Sequence, residues 1–187
     1  MPCADAATSA AAVADTRRWL ERAVIGLNLC PFAKAVHVKN QIRYAVTAAR
    51  TADELLADLE HELAALAQTD PDDCDTTLLI HPQAMTDFLD YHFFLKEADA
   101  VLRRLQLDGV LQIASFHPGY TFAGAADDDI GNYTNRSPHP MLHLLREASI
   151  DRAVAAFPDA ADIYGRNIAT LQRLGHAGWR ALWVTGQ

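Results

Sequence analysis

The feature that most constrains the fold is the alternation of strand and helix patterns through the middle of the chain. A strand pattern over residues 42–46 is followed by a helix that opens with a capping box at Thr51. Residues 76–80 and 110–116 are short apolar strands, and an amphipathic helix over about residues 86–105 joins them. This order predicts an α/β fold, with a single domain, a small mixed sheet of about four strands, a parallel βαβ core and helices packed on it.

Length and composition agree with one globular domain. The chain has 187 residues, of which 50% are apolar and 21% charged, and this is long enough for one full hydrophobic core. We expect residues 1–12 to form a flexible N-terminal tail and residues 13–187 to form the α/β domain. The net charge of −8 argues against nucleic acid as a partner, and no apolar run reaches the length of a membrane span.

The cysteines and the N-terminus favour a cytoplasmic protein. Cys3, Cys30 and Cys74 are an odd number of widely spaced residues, which suits a reducing compartment without disulfides. The alanine-rich start has no basic region and no continuous apolar segment, so it does not resemble a signal peptide. The sequence leaves the oligomeric state open.

Further helices are expected towards both ends of the chain. Asp15 is a suitable cap for a first helix. Later helices are expected from about Pro140, behind Ser149, and over about residues 160–174 with Gly175 as its C-cap. Residues 181–184 could then add a final strand.

The long polar loop after the third strand is where we expect the functional site. Loops of roughly twenty residues are uncommon in compact domains and are usually functional or disordered, and the aromatic content of this one argues against disorder. The strands before it end at His81-Pro82 and His117-Pro118. Parallel strands joined by a helix should end at one edge of the sheet, so both histidines are expected there.

A metal centre is one interpretation of the histidines near this loop. On the helix expected from Pro140, His143 and Glu147 are four residues apart and would share a face. With His117 they would supply two imidazoles and one carboxylate, a set that suits zinc or non-haem iron. The alternative is that His143 packs or caps and that Glu147 forms an ion pair with a neighbouring arginine. Haem held by a single histidine is a further possibility.

Two groups of loop residues could act on a substrate. The acidic run that contains Asp128 and Asp129 could supply a general base, or it could be a solvated turn. A second group precedes the expected helix start, where free N–H groups favour an anion, although its members could simply cap the helix. The candidates for binding a small anionic substrate are Asn132, Asn135, Arg136 and Ser137, with Tyr120 and Arg146 as further contacts.

Cys30 is the candidate for a different chemistry. It precedes Pro31, and Lys34 and His37 are close enough in sequence to lower the pKa of a reactive thiol. The alternative is a buried structural cysteine.

Several blocks of the chain resemble a known family. The blocks GLNLCPFAKAV, LLIHPQAMTDFLDY, IASFHPGYTFAG, NYTNRSPHPMLHLLREASIDRAV and RNIATLQRLG are similar to those of the bacterial domain-of-unknown-function family 1415. The resemblance covers nearly the whole chain and implies no particular activity. His139 stands where that family has tyrosine. The matched positions that keep their candidacy are His117, Asn135, Arg136, His143, Arg146 and Glu147.

The leading hypothesis is therefore a cytoplasmic enzyme that depends on a divalent metal and acts on a small anionic substrate. In it, a cleft formed by residues 117–147 holds the metal and the substrate. The alternatives are a thiol enzyme that uses Cys30, a haem protein, and a module that binds a ligand or partner without catalysis.

Overall fold

The computed structural model describes residues 6–156 and 162–182. Its helices are α1 (Ala6–Trp19), α2 (Ala33–Val38), α3 (Ala52–Gln68), α4 (Phe88–Arg104), α5 (Glu147–Ala155) and α6 (Ile163–Ala181). Its strands are β1 (Ile42–Val46), β2 (Thr76–Ile80), β3 (Leu111–Phe116) and β4 (Met141–Arg146). A π-helical segment (Leu20–Ile25) continues α1, and a short 3₁₀ helix (Ile130–Thr134) lies in the long loop.

The sheet is mixed, and its strand order is β1-β2-β4-β3. β1 and β2 are parallel and are joined through α3, so they form a βαβ unit. β4 is antiparallel to both of its neighbours, β2 and β3. β2 and β3 therefore run in the same direction, as expected, but β4 lies between them. These features confirm the predicted α/β fold.

Helices cover both faces of the sheet. One face packs against α3 and α4 around Leu79, Leu142 and Leu144, which are fully buried. The other face packs against α1, the π-helical segment and α6, with Ile80 and Met141 buried beneath them. Burial of apolar surface on both faces makes the inner strands β2 and β4 the centre of the domain. In the described ranges, every helix is too short or too polar to cross a membrane.

The main correction to the predicted fold concerns residues 141–146. The sequence MLHLLR resembles the start of an amphipathic helix because leucine and methionine favour helices. In the structure it is β4, whose Leu142 lies opposite Leu79 of β2 and Ser115 of β3. A strand buried on both faces lacks the polar–apolar alternation that identifies a half-exposed strand, so the spacing of the apolar residues was misleading here.

Smaller corrections concern the helices at the two ends of the chain. α1 begins at Ala6 rather than at Asp15, so part of the expected tail is helical, as befits an alanine-rich segment. α5 begins at Glu147, before Ser149. Gly175 does interrupt α6, with φ 64° and ψ 174°, and helical structure then resumes. Ala181, the first residue of the expected final strand, is the last residue of α6, and Trp183 and Val184 lie outside the described residues.

Candidate functional site

A concave site lies on the face of the sheet that α1 covers, and we call it the sheet cavity. It has a volume of about 580 Å³. Its buried floor is formed by side chains of β2, β3 and β4, and its walls by the π-helical segment, α2 and α5. The residues that line it include Trp19, Leu20, Val24, Cys30, Ile42, Thr76, Leu78, Phe116, His143, Leu145, Ile150 and Ala153. Most of this lining is apolar, as is typical of small-molecule sites.

His143 supplies a polar group on the floor of the sheet cavity. Its Nε2 atom lies 2.7 Å from the Thr76 hydroxyl oxygen. The same hydroxyl donates its only hydrogen to the Leu144 carbonyl at 2.6 Å, so His143 Nε2–H must be the donor to Thr76. This assigns the tautomer and leaves His143 Nδ1 as an acceptor. Burial also lowers the pKa of His143 to about 4, so the ring is neutral near pH 7.

Cys30 lines the same cavity, between the π-helical segment and α2. Burial raises the pKa of its thiol, although hydrogen bonds from the backbone of Phe32 and Ala33 act in the opposite direction. A thiol with a raised pKa is protonated near neutral pH and is a poor nucleophile. The role of Cys30 as a catalytic nucleophile stays a prediction, and its environment favours a neutral cavity wall.

Charged residues at the mouth of the cavity are nearly balanced. Lys39 and Arg152 are exposed and line the mouth, together with the exposed Asp72. The Asp75 carboxylate, which also lines the cavity, accepts a hydrogen bond from Ser149, and Ser149 in turn accepts one from Arg152. The mouth therefore has no strong preference for an anion or a cation.

A second cluster of polar side chains lies at the far edge of the sheet. The ring of Tyr91 stacks on His81 and on His117, with centroid separations of 5.7 and 5.1 Å. This confirms the expectation that both strand-end histidines lie at one edge. His117 Nδ1 accepts from the Gly119 N–H, so its Nε2–H donates to the Met85 carbonyl. Burial lowers the pKa of both histidines, that of His81 to about 4.

The three residues of the predicted metal centre are not brought together. His143 lies on β4 opposite Leu78, on the face covered by α1, whereas His117 contacts Tyr91 and Phe88 of α4 on the other face. Glu147 is the first residue of α5, so the expected helical face that it shares with His143 is absent. Within residues 6–156 and 162–182, no group of three His, Cys, Asp or Glu side chains is placed to hold a metal ion. The metal centre stays a prediction, but the helix that was expected to carry both His143 and Glu147 is absent.

The residues proposed to bind an anion organise the long loop instead. Arg136 donates to the carbonyls of Tyr120 and Asp127, and its guanidinium lies 4.5 Å from the centre of the Tyr133 ring. Asn132 is 1% exposed; its side chain accepts from the Phe122 N–H and donates to a loop carbonyl. The helix start that would have provided free N–H groups is absent, because β4 follows the loop.

The other loop candidates show the same pattern. The side chain of Asn135 donates to the Ser115 carbonyl, and the Ser137 hydroxyl donates to the His139 carbonyl. Asp129 caps the 3₁₀ helix by accepting from the Gly131 N–H. Asp128 is exposed beside it. Their proposed roles as bases or substrate contacts stay predictions.

Tyr120 and Arg146 take up different positions. Tyr120 packs against Phe88 and Phe122 and so forms a wall beside His117, as expected. Arg146 is 9% exposed. Its Nη2 donates to the carbonyls of Leu66, Thr69 and Cys74 at the end of α3 and in the loop after it, which is a usual role for a cation at a helix C-terminus.

The residue that sequence reasoning missed is Thr76, which fixes the His143 tautomer. It belongs to the buried strand β2 and lies 67 positions before His143 in the sequence. No local pattern could have identified this pair, because it depends on β4 pairing with β2.

The fold and the site define a class: an α/β protein whose mixed four-stranded sheet forms the floor of an apolar cavity. The chain belongs to the family described as protein of unknown function (DUF1415), whose model matches residues 11–181. This confirms the resemblance seen in the sequence. No curated protein and no solved structure matches the chain.

Proposed function

We propose that this protein binds a small, largely apolar molecule in the sheet cavity. The observation that carries the proposal is the cavity itself, about 580 Å³ of space with an apolar lining and a polar group on its floor. Ligand sites of roughly 300–1,000 Å³ with this kind of lining are usual for small molecules.

The size of the cavity argues against a defect of packing. Protein interiors are close-packed, and voids larger than a water molecule are few. The sheet cavity is too large for such a void, and it opens to solvent at its mouth. The space must therefore hold solvent or a ligand, and an apolar ligand gains free energy by covering the apolar wall.

The buried polar arrangement on the floor supports binding over a purely structural role. His143 and Thr76 lie on the two central strands, β4 and β2, which pair with each other. Sites on strands hold their geometry better than sites on loops. The proposal is limited to binding and includes no reaction.

The test uses a fluorescent apolar probe and two matched variants. Wild-type protein should bind the neutral probe N-phenyl-1-naphthylamine with enhanced, blue-shifted emission, because the probe is shielded from water in the cavity. Ala153→Trp places an indole in a cavity-lining position of α5 and should reduce probe binding at least tenfold. Ala155→Trp introduces the same side chain at an exposed position of α5 outside the lining.

The comparison of the two variants decides the outcome. Binding that is lost in Ala153→Trp and kept in Ala155→Trp supports the cavity as the binding site. If wild-type protein and both variants bind the probe equally, or none of them binds it, the proposed function is wrong. Circular dichroism on each variant checks that the fold is retained.

A further inference from the structure

The hydrogen-bond chain beneath the sheet cavity restricts the chemistry of whatever binds there. Thr76 has a single hydroxyl hydrogen, and the Leu144 carbonyl takes it. A carbonyl cannot donate in return, so His143 must place its own hydrogen on Nε2. The Nδ1 atom of a neutral imidazole then carries a lone pair and no hydrogen.

We propose that the buried end of the ligand is a neutral hydrogen-bond donor, a hydroxyl group on an apolar body, which donates to His143 Nδ1. The class is that of apolar alcohols and phenols. This inference rests on the proposed binding function of the sheet cavity, and it deepens that proposal by naming the ligand's polar group.

Other polar groups fit the floor less well. A carbonyl or ether oxygen would face the Nδ1 lone pair with another lone pair, leaving two acceptors unpaired. A carboxylate has no hydrogen to donate, so it would face the Nδ1 lone pair with its own lone pairs, and it would place a charge beside Leu78 and Phe116. An ammonium group would be a donor, but a charge is costly to bury in an apolar cavity.

The balance of charge at the mouth agrees with a neutral ligand. At the mouth, the exposed Lys39 and Arg152 are offset by Asp72 and Asp75. The Cys30 thiol, whose pKa burial raises, adds another neutral surface to the wall. Selection therefore depends on shape and on one directed hydrogen bond.

The experiment compares probes of similar shape that differ in their polar group. 4-Propylphenol has a hydroxyl donor, 4-propylanisole has only an ether acceptor, propylbenzene has neither, and 4-propylbenzoate carries an anion. Binding is measured by ligand-observed NMR titration at pH 7. We expect 4-propylphenol to bind at least tenfold more tightly than 4-propylanisole, a difference of about 1.4 kcal/mol.

Two threonine variants test whether the tautomer causes this preference. Thr76→Val is nearly isosteric and removes the acceptor of His143 Nε2–H, so the ring can move its hydrogen to Nδ1. The preference for the phenol over the anisole should then fall below threefold. Thr77→Val is the matched control, because Thr77 is buried, has no hydrogen-bond partner among the described residues and is absent from the cavity lining.

A third variant covers the case in which Thr76→Val does not fold. His143→Phe keeps a ring of similar shape and removes both nitrogens, so it should also abolish the preference while propylbenzene still binds.

The possible results separate this inference from the function on which it rests. Equal binding of the phenol, the anisole and propylbenzene, each blocked by Ala153→Trp, would sink the donor inference and keep the cavity as a binding site. Tighter binding of 4-propylbenzoate would sink it as well. If no probe binds, or Ala153→Trp has no effect on those that do, the proposed function itself is wrong.

Discussion

The Tyr91 hydroxyl donates a hydrogen bond of 2.8 Å to the Met141 carbonyl and so links α4 to the first residue of β4. The same oxygen accepts from the Phe116 N–H at 3.1 Å. Helix α4 and the ends of β3 and β4 therefore meet at one buried atom, between the two strand-end histidines. This arrangement holds the edge of the sheet from which the long loop departs.

Tyr91→Phe should lower the free energy of unfolding by about 1–3 kcal/mol, because it removes the partner of a buried carbonyl and of a backbone N–H. Urea denaturation at pH 7 measures the change. Tyr164→Phe is the control, since Tyr164 is 61% exposed and its hydroxyl should contribute less than about 0.5 kcal/mol. Equal effects of the two substitutions would contradict the structural role of the Tyr91 hydroxyl.

Arg136 should stabilise the long loop even in the absence of any anion. Replacing it with methionine removes the bonds to the Tyr120 and Asp127 carbonyls, so amide hydrogens of residues 118–129 should exchange at least tenfold faster. Hydrogen exchange followed by mass spectrometry reports this region directly. If exchange in the loop is unchanged, the side chain is not holding the loop, and the sequence-based role in anion binding becomes the better account.

His81 should make the protein less stable in acid. Its pKa in the folded protein is about 4, against an ordinary value of 6.5, because burial disfavours the charged ring. Between these values the unfolded chain binds more protons than the folded one. The stability from this group is thus complete above about pH 6.5 and is lost as pH falls towards 4.

The measurement compares urea unfolding at pH 7 and pH 4.5 in the wild type and in His81→Asn. Asparagine can keep a donor to the Ala84 carbonyl, as His81 Nδ1–H does, but it cannot be protonated. The wild type should lose about 2 kcal/mol more than the variant, because each pKa unit is worth about 1.4 kcal/mol. An identical loss in both proteins would show that His81 does not titrate in this range.

Cys30 should react slowly with iodoacetamide near neutral pH, because burial raises the pKa of its thiol and little thiolate is present. The rate should still be rising at pH values above the pKa of an ordinary cysteine. Occupation of the sheet cavity by 4-propylphenol should reduce the rate. Cys74 serves as an internal control, because it does not line the cavity. Its thiol donates to the Thr76 carbonyl. Fast labelling of Cys30 at pH 7 would favour the thiol-enzyme hypothesis.

Much of the fold was readable from local patterns. The capping box at Thr51 does open α3, and the apolar runs at residues 76–80 and 111–116 are strands. The ends of those strands placed His81 and His117 at one edge of the sheet, because the direction of a strand follows from the helical crossover before it. Patterns of this kind depend on residues that are close in sequence, and the folded protein has the local structures that they predict.

The sequence by itself determined the α/β class, the three strands with recognisable boundaries, the helices between them, and the family. Only the tertiary structure decided that residues 141–146 form a central strand, since their conformation depends on hydrogen bonds to β2 and β3. That one difference moved His143 from an expected helix to the floor of a cavity and joined it to Thr76. Local propensity cannot specify such a site, because the groups that fix its geometry are brought together only when distant strands pair.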